Sequence, residues 1–359
     1  MTARPLAEPG RHAAPEPAAR PERPAPSPER FLALVADKLA ATEAIFRTAL
    51  DSDVPFIHEA GAYLCDGGGK RVRPALLLLC ARLLGHDGEE EVTYAATVEL
   101  IHTATLVHDD IIDHAGLRRG RPSANRLWGN HLTVLLGDWI YTLAMQKALS
   151  HDRLPVVQRL VGATLKMVEG ELLALERLGA MDLSVDEYFR IVDRKTAHLF
   201  AAACSVPALI PPSRPQAGGP TAGGPGAGEA LARYGESLGV CFQIVDDLLD
   251  FTAREEELGK PVLSDLKEGK LTLPLILLLP RVGPARRRPV AQVLADRDFR
   301  RTAPEEILEL VESEGTIEEA AEMAEEHARR ARREMEAFPP SDARDALEYA
   351  PEFVLARRY

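Results

Sequence analysis

The stretch VTYAATVELIHTATLVHDDIID, residues 92–113, decides the fold. From Val92 to Val107 it is apolar on nearly every side of a 3.6-residue period, which predicts a helix buried inside a bundle rather than one lying on its surface. Its few polar residues therefore need a reason, and the helix ends in Asp109, Asp110, Ile111, Ile112 and Asp113. Far downstream a second segment repeats the pattern as Asp246, Asp247, Leu248, Leu249 and Asp250. At about 100° per residue, the first and third carboxylates of each cluster fall within roughly 40° of one another, one turn apart, with the middle one at the edge of the same face.

Three carboxylates so close in apolar surroundings repel one another and raise one another's pKa unless a cation offsets them. A hard divalent ion supplies that charge. Magnesium takes carboxylate oxygens together with water and substrate phosphate, so two facing clusters would hold a diphosphate through bridging ions. One such cluster alone reads equally well as an exposed helix end; two identical copies in apolar helices favour a metal site.

The chain around these clusters is helical. Period-two alternation is nearly absent, aromatics make up only 5% of residues, and the breaks between helical segments carry Gly, Pro, Asp or Ser. This predicts an all-α chain over residues 30–359, and length alone leaves its domain count open. Residues 1–29 are rich in Pro, Ala, Arg and Glu and lack the apolar side chains to offset ordering entropy, so they read as a disordered tail, and deleting residues 1–28 is expected to leave turnover intact. Residues 211–228 read as a flexible Gly/Pro loop. A phosphate cradle there is disfavoured, since no strand precedes it and no Gly-Lys-Ser/Thr closes it. The charged stretch Glu305 to Glu336, with Glu325 and Glu326 four residues before Arg329 and Arg330, reads as a solvated helical face.

The 55 acidic residues outnumber the 43 basic ones, and a net charge of -12 is the wrong sign for neutralising nucleic-acid phosphates, so no nucleic-acid partner is expected. Cys65, Cys80, Cys204 and Cys241 show no Cys-x-x-Cys pairing and read as reduced, mostly buried thiols. The longest apolar runs, such as Leu271 to Leu279, fall short of the roughly 20 residues that a transmembrane helix needs. The N-terminus has neither the apolar run of a signal peptide nor the acid-poor composition of a transit peptide. A cytoplasmic enzyme is expected.

Basic residues sit where a diphosphate needs them. Gly67 to Pro74, GGGKRVRP, is a glycine turn running into a helix and offers Lys70 and Arg73 to an anion. It is not a Walker loop, because Leu64 and Arg71 occupy the Gly and Ser/Thr places. Arg118 and Arg119 follow the first aspartate cluster closely enough to grip phosphate around a metal. His102, two turns before Asp109, faces the same way. Gln243 lies one turn before Asp246, and Lys195 and Thr196 open another helical segment.

These motifs in combination resemble the trans-polyprenyl diphosphate synthases, the family of farnesyl, geranylgeranyl and longer-chain prenyl diphosphate synthases. The resemblance covers Phe31 to Tyr359. It rests on GGGKRVRP, on LVHDDIID with LRRGRPS (106–123), on LGDW (136–139), on RKTAHLF (194–200), and on FQIVDDLLDF with GKPVLSDLKEGKLTLP (242–274).

The resemblance implies a single-domain helical bundle of the isoprenoid synthase type I fold around a deep central cavity, a homodimer, and three magnesium ions per site. It implies that Asp109, Asp113 and Asp246 ligate metal on the allylic diphosphate, with Asp110, Asp247 and Asp250 in support. Arg118, Lys195 and Lys260, and more weakly Lys270, would grip that diphosphate. Lys70, Arg73, His102 and Arg119 would hold isopentenyl diphosphate, and Thr196 and Gln243, with Lys195, would serve the reacting cation.

The implied reaction joins isopentenyl diphosphate head-to-tail to an allylic diphosphate, making an all-trans polyprenyl diphosphate, with transient membrane contact for product release. Thr105 and Ala104 lie about one turn beneath Asp109, with Ile101 and Val98 below, and each turn adds about 5.4 Å, comparable to one isoprene unit. Relatives that stop early carry Phe or Tyr at this floor. This chain does not, so a product longer than twenty carbons is expected, and Ala104→Phe is expected to shorten it. The alternatives are a short-chain farnesyl or geranylgeranyl synthase, a class I terpene cyclase, or one subunit of a heteromeric synthase. The second DDxxD and GGGKRVRP stand against the cyclase, and the presence of all six aspartates stands against a non-catalytic subunit.

Overall fold

The computed structural model describes residues 28–211, 224–252 and 262–358. The expected tail up to residue 27, most of the 211–228 loop and Lys260 lie outside the described residues. At the end of that loop, Gly224–Gly226 form a 3-10 turn and the next helix already begins at Ala227.

Helices α1 (Pro28–Ala33), α2 (Ala36–Ala49), α3 (Pro55–Asp66), α4 (Val72–Leu83) and α5 (Glu90–Ile112) come first. A short antiparallel hairpin follows, β1 (Leu117–Arg118) with β2 (Arg121–Pro122), in the register Leu117 to Pro122 and Arg118 to Arg121. It departs from the all-helical expectation because Arg119 and Gly120 take positive φ, 52° and 73°, the pair of values a tight hairpin turn requires. Next come α6 (Ala124–Ala148), α7 (Leu154–Glu176), α8 (Val185–Val192), α9 (His198–Ser205) and α10 (Ala227–Thr252). The chain ends with α11 (Ser264–Lys267), α12 (Leu273–Leu278), α13 (Pro284–Asp296), α14 (Pro304–Ser313), α15 (Thr316–Glu334) and α16 (Asp342–Leu355).

Helix α5 is buried along most of its length, as its all-round apolar pattern predicts, and packs chiefly on α6, α2 and α4. Helix α10 packs on α15 and α9. Two glycines make the last contact close. A Cβ on Gly235 would stand 2.5 Å from Phe200 O, and one on Gly239 would stand 2.7 Å from Ala197 Cα, so only glycine lets α10 approach the segment that carries Lys195 and Thr196.

Helix α15 has the solvated charged face expected within 305–336. Its charged face does carry the pairs Arg329 to Glu325, 3.8 Å, and Arg330 to Glu326, 3.1 Å. Its other face buries Ala320, Ala324, Ala328 and Ala331, a stripe of small residues at helical spacing that lies against the core.

Candidate active site

Lys195 and Thr196 do not open a helix. They lie in a π-helical turn, Asp193–Ala197, inserted between α8 and α9 within one continuous helical run. Such an expanded turn shifts side chains out of the α-helical phase and is frequent at functional sites. Gly170 on α7 accommodates it, since a Cβ there would meet Lys195 N at 2.5 Å.

The π turn, α10, α5, α7, the Gly67–Arg71 turn and the β hairpin enclose a cavity of about 850 Å³. Asp109 lines it from α5 and Asp246 from α10, so one carboxylate of each cluster enters the same space. Lys70, Arg73, His102, Arg118, Arg119, Lys195, Thr196 and Gln243 line it as well. Thr105, Leu106, Ile112, Met167, Val168, Leu172, Leu175 and Phe242 form its less polar wall.

The remaining acidic residues face protein partners. Asp110 accepts from Arg118 Nε at 2.5 Å. Asp113 pairs with Lys270 Nζ at 2.8 Å, placing Lys270 beside the first cluster. Asp247 accepts from Gln243 Nε2 at 2.9 Å and from Tyr188 OH at 2.7 Å. Asp250 accepts from Ser264 N, Ser264 Oγ and Asp265 N at 3.1, 2.7 and 3.1 Å, which caps α11. The identical spacing of the two clusters thus does not give identical exposure to the cavity, because each carboxylate is claimed by whichever element packs beside it.

Burial dominates the electrostatics. It pushes Asp109 up to about 6, with Lys195 opposing the rise and Glu171 and Asp113 adding to it. Burial also raises Asp246 against the pull of Arg357 and Arg73. Asp247 is pushed up to about 7 by burial and by the like charge of Asp265, although the bonds from Tyr188 and Gln243 act in the other direction. Arg73, half-buried over the Phe200 ring at 4.4 Å, is pushed down to about 10 by burial, and its Nε has no hydrogen-bond partner among the described residues. Burial and the neighbouring arginines hold His102 well below its usual value, so its imidazole is neutral. Burial lowers Lys270, but Asp113 and Glu268 outweigh it and hold the ammonium above its usual range. A site so rich in enclosed charge of both signs is suited to a polyanionic ligand and the cations that accompany it.

Thr105 lines the cavity, but Ala104 and Ile101 are buried in the hydrophobic core and do not. On α5 the cavity is lined by Glu99, His102, Thr105, Leu106, His108, Asp109 and Ile112.

Glu171, Glu99 and Arg357 are among the cavity residues that escaped the sequence reading. Glu171, on α7, pairs with Lys195. Glu99 lines the wall one turn before His102, and that spacing was available as a signal. Arg357 comes from the extreme C-terminal segment to meet Asp246 at 3.0 Å and to cover the Phe242 ring at 4.8 Å; no local pattern marks it.

The polyprenyl synthetase family model matches residues 54–311. The octaprenyl diphosphate synthase of Escherichia coli strain K12 is 38% identical over 319 residues, covering 89% of this chain and 95% of the relative. Among solved structures, a polyprenyl synthase from Caulobacter crescentus complexed with calcium and isoprenyl diphosphate superposes with a TM-score of 0.85 at 34% identity, covering 94% of this chain and 100% of that one. A decaprenyl diphosphate synthase from Rhodobacter capsulatus gives 0.83 at 36% identity, with 92% and 99% covered.

Proposed function

Because the chain belongs to the polyprenyl synthetase family and has that family's all-α fold, we propose that it condenses isopentenyl diphosphate head-to-tail onto an allylic diphosphate, yielding an all-trans polyprenyl diphosphate longer than twenty carbons. The observation that carries this reading is the shared cavity. One carboxylate from each DDxxD cluster, cationic side chains from four separate segments and an apolar wall all face it.

The metal requirement follows from the donor set. Asp109, Asp113 and Asp246 offer hard carboxylate oxygens, which suit magnesium. Among the described residues no group of three or more His, Cys, Asp or Glu side chains forms a ready-made cage. Each ion would therefore take one or two carboxylates and complete its shell with diphosphate oxygens and water, the usual arrangement for magnesium. When bound, the ions supply positive charge against the departing diphosphate.

The chain's own residues do the rest. Arg118, Lys195 and Lys270 stabilise the allylic diphosphate as charge develops on it, while Lys70, Arg73 and Arg119 hold isopentenyl diphosphate beside neutral His102. Thr196 and Gln243 turn polar oxygens toward the carbon that loses its leaving group. The wall of Leu106, Ile112, Met167, Val168 and Phe242 keeps water from the cation, and the released diphosphate accepts the proton lost after condensation.

A homodimer fits an unpartnered face. On α7, Val161, Leu165, Val168, Leu172 and Leu175 form an exposed apolar stripe, with Leu165 at 59%, Val168 at 53% and Leu172 at 58% exposure. Leu132 and Leu135 on α6 are exposed as well. Such a repeat of three and four residues on two long helices suits a second copy of the chain. Val168, Leu172 and Leu175 also line the cavity, so the partner would cover its wall.

No helix among the described residues is long and apolar enough to cross a membrane. Cytoplasmic location, with transient membrane contact as the hydrocarbon product leaves, belongs to the same proposal. The test is diphosphate release from an allylic substrate with magnesium, with and without isopentenyl diphosphate. Release that requires both substrates supports condensation, and release from the allylic substrate alone would indicate a cyclase.

A further inference from the structure

We propose that Tyr188 and Asp247 are positioning residues that fix which end of the Gln243 side-chain amide faces the substrate. The inference rests on the condensation reading above and extends it to residues that do not touch the cavity. Tyr188 OH donates to Asp247 Oδ2 at 2.7 Å, Gln243 Nε2 donates to Asp247 Oδ1 at 2.9 Å, and Thr196 Oγ1 donates to Gln243 Oε1 at 2.8 Å. Four residues from α8, the π turn and α10 thus form one hydrogen-bonded chain that ends on the two cavity-lining side chains Thr196 and Gln243.

The direction of this chain follows from the chemistry of its members. A primary amide can turn over, because its oxygen and nitrogen ends have nearly the same shape. With Tyr188 OH donating to Oδ2, Asp247 presents Oδ1 to the amide as an acceptor, so it selects the orientation with Nε2 toward itself and Oε1 toward Thr196 and the cavity. Tyr188, enclosed beside α10, holds the other carboxylate oxygen and stops the carboxyl group from rotating toward the metal side. Asp247 therefore acts through Gln243, although its spacing groups it with the metal-binding aspartates. The result is a fixed carbonyl dipole on the cavity wall, placed before substrate arrives, which is the form of electrostatic assistance that costs no reorganisation during reaction.

Tyr188→Phe and Asp247→Asn, alone and combined, test this in the full-length protein, read by kcat, KM for each substrate, the magnesium concentration at half-maximal rate, and Tm. Asparagine keeps the size of Asp247 but can donate to the amide oxygen, so it releases the orientation without emptying the space. Each single variant is expected to lose about tenfold in kcat, with both KM values and the magnesium midpoint within about twofold of wild type. The double variant is expected to lose no more than Asp247→Asn alone, because Tyr188 acts only through Asp247. Unchanged kcat in Asp247→Asn, additive losses in the double variant, or a large rise in its magnesium midpoint, the sign of a lost metal ligand, would each overturn the inference. Should Tyr188→Phe lower Tm sharply, Asp247→Asn decides alone. A wild-type protein that fails to condense the two substrates defeats the functional reading itself, whereas an active wild type with unaffected variants defeats only this inference.

Discussion

Arg71 Nη1 donates to Glu99 Oε1 at 2.6 Å and so ties the turn that carries Lys70 and Arg73 to the helix that carries His102 and Asp109. The same guanidinium reaches Glu43 through Nε at 2.8 Å and Nη2 at 3.3 Å and lies over the Phe46 ring at 4.5 Å. The Arg71 and Glu99 side chains are only 13% and 6% exposed, so neither charge is well solvated without the other. Arg71 also takes the left-handed conformation, φ 46°, as the residue that starts α4, so its side chain secures a turn that its backbone disfavours.

Removing one member of such a pair strands a buried charge, a loss of about 3–5 kcal/mol. Arg71→Met is expected to destabilise the protein by that order and to raise KM for isopentenyl diphosphate more than KM for the allylic substrate. Chemical denaturation together with two-substrate kinetics checks both parts. Equal KM changes would mean that the turn does not serve one substrate in particular.

Product length is expected to respond at Thr105 rather than at Ala104, because of the two only Thr105 faces the cavity. Thr105→Phe is expected to shift products shorter by filling the wall one turn below Asp109. Ala104→Phe overpacks the core at a cost of about 1–3 kcal/mol with no specific shortening. Chromatography of the products of both variants distinguishes these outcomes.

Gly239→Ala would drive a methyl group into the backbone at Ala197, 2.7 Å from its Cα. The segment carrying Lys195 and Thr196 must shift to admit it, so both a lower Tm and a fall in kcat are expected. A thermal melt paired with steady-state rates checks this, and wild-type values for both would refute the close packing of α10 on that segment.

The exposed stripe on α7 predicts that Leu165→Glu, at a position outside the cavity lining, dissociates the dimer. Light scattering is expected to give twice the chain mass for wild type and the chain mass for the variant. A wild-type monomer would remove the dimer from the account.

Much of this was legible before any coordinates. The buried α5, the second aspartate helix and the glycine turn before α4 follow from periodicity and turn chemistry, which are local properties. Lys70, Arg73, His102, Arg118, Arg119, Lys195, Thr196 and Gln243 do meet in one cavity. What stayed hidden depends on tertiary partners. Spacing puts Asp246, Asp247 and Asp250 near one face, but it does not reveal that Tyr188 claims Asp247 and that Ser264 claims Asp250. Arg357 reaches the site from the far end of the chain, and the π turn at Asp193–Ala197 has no hydrophobic signature that separates it from an α-helix. Depth along α5 is likewise legible in the sequence, but which of Ile101, Ala104 and Thr105 meets the cavity is not, and of these only Thr105 does.

The most direct measurement is incubation of the purified chain with magnesium, labelled isopentenyl diphosphate and geranyl or farnesyl diphosphate, followed by chromatography of the prenyl chains. The account predicts label in all-trans products beyond twenty carbons, lost when the metal is chelated and reduced by orders of magnitude in Asp109→Asn or Asp246→Asn. Absence of labelled, elongated product from the active, folded chain, or elongation that survives both substitutions, would contradict it.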